Sequence, residues 1–229
     1  MSEASDDVVL ERLLVERWSC RAFHPTPVPR KTIERLLALA QGPGSWCNTQ
    51  PWHVYVTSGE ATDRFRVVLE DYARSHFGRE EPDFSPLPVY AGVYKDRRRE
   101  SGWQLYEAVG VAHGDREASG RQAMRNFALF GAPHTAIITV DANHGVYGAV
   151  DGGLYVGTFM LAAHSLGIAT IPQAALAMYA PTVRSHFSIP DDQKILVGIS
   201  FGYADDQDPV NAYGTSRASE GDVVTWVDA

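Results

Sequence analysis

Between residues 30 and 40, apolar side chains recur at Ile33, Leu36, Leu37 and Ala40, the spacing of a helix with one buried face. Pro29 suits the first turn of that helix. Phe65, Val68, Leu69 and Tyr72 repeat the pattern, and Leu10, Leu13 and Leu14 give a shorter stripe that ends near Arg17. Asp115 is placed to cap a further helix running through Met124 and Phe127, stopped by Gly131 and Pro133. From about 148 to 166 nearly every position is apolar, so periodicity vanishes and a central core helix is predicted, ended by Gly167. HVYVT (53–57), HTAIITV (134–140) and KILVGISFGY (194–203) read as strands, with VVTWV (223–227) a weaker one. Residues 78–90 hold three prolines and read as loop. Strands and helices interleave without a regular βα repeat, which predicts an α+β fold, a sheet covered by helices. One domain over residues 1–229 is expected, with 78–115 as an excursion shaping a cavity.

Composition narrows the function. The net charge of −8 argues against non-specific binding to nucleic acid or to an anionic membrane. The acidic, polar start is the opposite of a secretory signal, and the apolar run GGLYVGTFMLAA is too short to span a bilayer, so a soluble cytoplasmic protein is expected. Cys20 and Cys47 lack CxxC spacing. No two of the eight histidines lie three or four apart, so no metal site is expected. Neither GxGxxG after a strand nor a P-loop occurs, and Ser45 and Ser165 lack a G-x-S-x-G frame. Cys47 reads as a small buried hydrophobe rather than a nucleophile.

Two segments remain. In RWSCRAF, Arg17 and Arg21 flank Ser19 where the first helix should end. They either complement the helix C-terminus or, with Arg217, form an anion site. In GSWCNTQPW, Asn48 and Gln50 are amides that must be paired if buried. That loop is either a self-satisfied turn packed under Trp46 and Trp52 or the rim of a flat ligand's site.

Together these residues resemble the FMN-dependent nitroreductase family, in its nitrobenzoate-reductase-like bacterial branch. RWSCRAF followed by P-x-P is similar to the family's opening, and GSWCNTQPW to its P-S-x-x-N-x-Q-P-W loop. RNFALFGAP (125–133), HSLGIATIPQAAL (164–176) and ILVGISFGYADDQDPVNAY (195–213) follow in the family's order. The resemblance implies a mostly antiparallel central sheet covered by helices, in an intertwined homodimer with active sites at the interface. It implies FMN as cofactor, NADH or NADPH as donor, and reduction of nitroaromatic, quinone or related acceptors by ping-pong transfer through flavin N5. Reductive dehalogenation, enone reduction and flavin binding without turnover are its alternatives. It assigns Arg17, Trp18 (through its backbone), Ser19, Arg21 and Arg217 to the phosphate and ribityl chain. Gly44, Ser45, Trp46, Asn48 and Gln50 would reach the flavin of the other subunit. Pro172, Gln173 and Ala174 would run past the isoalloxazine, with Phe127 and Phe130 at the substrate cavity. Three positions depart from the family pattern: Trp18 for an arginine, the order Pro43-Gly44-Ser45, and Gly214 for a basic residue.

Overall fold

The computed structural model describes residues 5–228. Four strands form one antiparallel sheet in the order β1-β2-β4-β3: β1 (Trp52–Ser58), β2 (His134–Asp141), β3 (Ala169–Gln173) and β4 (Gln193–Gly202). The sheet is covered on both faces. Odd and even positions of β2 therefore enter different cores. Ala136 and Ile138 meet α2 (Arg30–Ala40) and α6 (Gly145–Ser165) through Leu36, Tyr155 and Phe159. Ile137 meets α3 (Glu60–Ser75), α7 (Ala174–Ala177) and α8 (Ala180–Phe187) through Phe65, Leu176 and Val183. This two-sided burial is why β2 reads as a continuous apolar run rather than an alternation.

Helix α6 is long and apolar enough to cross a membrane on composition alone, yet it is built into the core. Gly148, Asp151, Gly152, Tyr155 and Phe159 are buried, and a Cβ on Gly152 would lie 2.6 Å from Leu196 and 2.8 Å from Val140. Its opposite side leaves Val146, Tyr147, Val150 and Leu154 exposed as one apolar stripe. α1 (Asp6–Glu16) contributes Leu10, Leu14 and Val15 to the exposed apolar surface.

His134 opens β2 and is fully buried. Its Nε2 accepts the Val28 N–H (2.9 Å), its Nδ1 faces the Thr57 carbonyl (3.3 Å), and the ring stacks on Phe201. Both contacts fit the neutral imidazole, and burial pushes its pKa below the ordinary 6.5. Below about pH 6.5 the unfolded chain takes up a proton that the folded chain resists, so stability present at neutral pH is lost as pH falls. Urea unfolding of His134→Gln should show a smaller drop between about pH 7.5 and 5.5 than the native protein; an equal drop would assign the pH dependence to other groups.

Three expectations need correction: the VVTWV strand, the burial of Cys47 and the reach of the helix capped by Asp115. VVTWV forms no strand: a 3-10 turn (Glu220–Asp222) precedes it and no neighbouring strand receives it. Residues 78–90 are irregular, as their prolines predict, and the rest of the 78–115 region carries a helix that the sequence did not mark. This is α4 (Gly92–Ala108), a helix with no buried residue and therefore no apolar stripe to read. Trp52 is buried against Tyr155 and donates its ring N–H to Gln41, so it belongs to the core. Cys47 is exposed, whereas Cys20 is the buried thiol. Asp115 caps α5 (Arg116–Met124) through Ala118 as expected, but the helix ends before Phe127.

Candidate active site

After α1 the chain turns extended and lies along the free edge of β3. Ser19 bridges Thr170 in parallel, and the Cys20 N–H donates to the Thr170 carbonyl (3.0 Å). Strand alternation sends Cys20 and Ala22 inward, and Arg17, Ser19 and Arg21 remain partly exposed. Asn211, from the segment after β4, fixes this edge. Its Oδ1 accepts the Arg21 N–H (2.8 Å), and its Nδ2 donates to the carbonyls of Ala22 (2.8 Å) and Asp205 (3.0 Å). Sequence reasoning assigned Asn211 no role, because its partners lie 189 and 190 residues away. Asn211→Ala should release the Arg21 strand, leaving groups unpaired at about 1–3 kcal/mol each. A lower thermal midpoint together with weaker FMN retention is the expected result, and unchanged retention would reduce Asn211 to a purely structural clamp.

Arg17, Trp18, Ser19, Thr215 and Arg217 line one cavity of about 570 Å³. The structure thus brings Arg217 to Arg17 across the whole chain, whereas Arg21 lies outside this cavity. Burial, and then the positive charge of Arg217, lower the Arg17 pKa. Among the described residues, none of Arg17, Arg21 and Arg217 is ion-paired, and the Arg17 guanidinium touches no helix carbonyl. A half-buried Arg17 and an exposed Arg217 facing one cavity whose walls carry no carboxylate favour the anion site over the helix-terminus reading. The Trp18 indole N–H is buried there without a partner. Its ring packs edge-on to His164. A Cβ on Gly214 would meet open space, so that departure removes a charge without adding a steric block.

Arg21 also lines a second cavity of about 310 Å³ with Tyr106, Gln122, Asn126, Phe130, Pro172, Gln173 and Ala174. Gln173 is locked: its amide donates to the Asn126 carbonyl (2.8 Å) and accepts from the Ser200 hydroxyl (2.5 Å). The register narrows the backbone donors. Thr170 turns its carbonyl outward to Cys20, so Ile171 and Gln173 face β4, and Gln173 pairs with Gly198. Pro172 has no N–H, which leaves Ala174, the first residue of α7, as the donor aimed away from the sheet. Phe130 is in the wall as expected, but Phe127 is not: it is buried against Tyr179. Gln122 presents a buried, unpartnered amide nitrogen. Gln122, Asn126 and Tyr106 were missed because they sit on elements without a strong apolar pattern.

The 44–50 loop lines none of these cavities. It is exposed and wound tightly, with Cys47, Asn48 and Gln50 all at φ of about +50°. Ser45 Oγ accepts the Gln50 N–H (2.9 Å), and the Gln50 amide donates to Asn48. The Trp46 N–H is taken by both oxygens of buried Asp151 (3.2 Å each), so that one backbone donor is not free for a ligand. The Trp46 ring lies on Tyr147, within the exposed apolar stripe of α6. Gly44 has open space around it and ordinary backbone geometry.

The family model described as "Nitroreductase family" matches residues 14–203. The chain is 39% identical to "Nitroreductase NfnB" of Mycolicibacterium smegmatis over 91% of its own length and 88% of that protein. It is 32% identical to a "4-nitrobenzoate reductase" of Pseudomonas putida, over 95% and 94% of the two chains. In three dimensions it is similar to the FMN-dependent nitroreductase NfnB from Mycobacterium smegmatis, solved in complex with NADPH: TM-score 0.92 at 36% identity, covering 98% of this chain and all of that one.

Proposed function

The chain belongs to the nitroreductase family, and from that premise we propose that it is an FMN-dependent NAD(P)H oxidoreductase reducing nitroaromatic and quinone acceptors. The observation that carries this reading is the Arg17–Arg217 cavity, joined by the extended 17–21 segment to the ledge formed by Pro172, Gln173 and Ala174. An anion site at one end and a flat, partly apolar ledge at the other suit a phosphorylated ring system. The buried, unpartnered Trp18 N–H and Gln122 amide fit the polar edges of such a group. Among the residues of the ledge cavity only Arg21 and Tyr106 ionise, so the protein's part is binding and orientation rather than acid–base chemistry.

FMN bound there would supply the redox chemistry, hydride transfer between NADPH or NADH and the acceptor in a ping-pong cycle. Arg17, Ser19 and Arg217 would hold the phosphate, and Arg21 would hold the ribityl chain from the edge that Asn211 fixes. Ala174 would offer its N–H to the flavin ring. Phe130 and the α4 residues Leu105 and Tyr106 exclude water from the ledge. The apolar stripe of α6, with Trp46 lying on it, supports a homodimer in which Ser45, Asn48 and Gln50 would reach the partner's flavin. Residues 1–229 act as one catalytic domain, with 78–115 covering the cavity.

The purified protein should be yellow, bleach anaerobically with NADPH or NADH, and recover its colour on adding nitrobenzene or a benzoquinone. Colourless protein that takes up no added FMN would overturn the reading.

A further inference from the structure

A third cavity, of about 390 Å³, lies between α4 and the chain around Tyr213. It shares Arg21, Leu105 and Tyr106 with the ledge cavity and no residue with the Arg17–Arg217 cavity. Its walls carry three guanidiniums, Arg21, Arg98 and Arg99, and no carboxylate. None of the three is ion-paired among the described residues; Arg21 lies over the Tyr213 ring and Arg98 over that of Tyr90. The Tyr213 hydroxyl is buried without a partner, although Tyr213 forms part of the wall. Burial raises its pKa, so it is a phenol able to donate. Trp103 adds an exposed aromatic surface.

A charge run on a helix is ordinarily a solvated face. Here that reading fails to explain why Arg98 and Arg99 converge with Arg21 from a different part of the chain, around an orphaned hydroxyl. In a chain of net charge −8, a local cluster of uncompensated guanidiniums concentrates anions. Guanidinium forks suit phosphate and carboxylate alike.

We propose that this cavity is a second anion subsite, separate from the flavin phosphate site. It takes the charged group of the exchangeable ligand whose ring reaches the 172–174 ledge. This rests on the flavoenzyme reading. The shared chemistry is an oxyanion tethered to an aromatic ring system, and it has two sources: the 2′-phosphate of NADPH or the carboxylate of an acidic aromatic acceptor. Arg98 and Arg99 supply the forks, and Tyr213 supplies a neutral donor.

The test is calorimetric titration of the flavin-loaded protein with two pairs of ligands: 2′-phospho-ADP-ribose against ADP-ribose, and 4-nitrobenzoate against nitrobenzene. The native protein should prefer the anionic member of one pair by about tenfold or more. Preference in the first pair identifies the donor's phosphate, and preference in the second identifies the acceptor's carboxylate. R98A/R99A should abolish that preference at unchanged FMN content, and R98K/R99K should retain part of it. Both arginines are exposed on a helix without buried residues, so folding is not at risk. Equal binding within both pairs, or a preference that survives R98A/R99A, would overturn the subsite. Loss of FMN in R98A/R99A would also overturn it, by making the cavity part of the flavin site. Because binding is read without turnover, a protein that binds FMN but catalyses nothing still reports on the subsite. A protein that takes up no FMN fails the functional reading separately, and the same titration then runs on the chain as purified.

Discussion

Arg17→Met should weaken FMN retention by about 10- to 100-fold, the worth of one charge-assisted pair, yet leave the flavin-free protein as stable as the native one or slightly more so. The two halves of this expectation have one cause. Arg17 is half-buried with Arg217 as its charged neighbour and no carboxylate to compensate, so its charged form is penalised in the folded chain, as its lowered pKa records. An anion reverses that penalty; without one, an apolar side chain of similar length fits Leu14 and Trp18 at lower cost. Fluorescence titration with FMN and thermal unfolding of the stripped protein measure the two halves independently. A variant that loses flavin only because it unfolds earlier would make Arg17 a structural residue. Retention equal to the native protein's would move the phosphate elsewhere.

How much of this was legible in the sequence depended on what each element buries. Helices α2 and α3 show one apolar face because one face meets the sheet, and β2 shows none because both faces are covered. The edge strand β3 escaped notice because its five residues include a proline. Its pairing on the outer side comes from Ser19 and Cys20, about 150 residues away. Helix α4 escaped because it buries nothing, and VVTWV misled because a β-rich composition makes no strand without a neighbour. At the site, local spacing marked Arg17, Ser19 and Arg21, and the order of motifs marked Pro172 to Ala174. What spacing could not supply was the tertiary information. It did not show that Gln173 spends its N–H on the sheet, that Phe127 turns into the core, or that Trp46 is held by Asp151.

The last of these contacts carries the second large effect. Asp151→Leu should both destabilise the protein and sharply reduce FMN binding, whereas Asp151→Asn should do so only partly. Asp151 is 4% exposed within an otherwise apolar helix, and both of its oxygens accept the Trp46 N–H. The loop it holds contains three non-glycine residues in the left-handed region, each a conformation disfavoured by about 1–2 kcal/mol outside such a fixed frame. Removing the acceptor leaves the Trp46 N–H unpaired at a further cost of about 1–3 kcal/mol and frees the loop to relax. Asparagine keeps one accepting oxygen, so it should hold the loop more weakly without abandoning it. If Ser45, Asn48 and Gln50 serve the partner's flavin, relaxing the loop must weaken dimerisation and flavin binding together. Arg17→Met, by contrast, should weaken flavin binding alone. Sedimentation velocity beside FMN titration separates the two. Loss of flavin at unchanged dimer affinity would show that the loop acts within its own subunit, and an Asp151→Leu protein that dimerises and retains FMN normally would remove the 44–50 loop from the site.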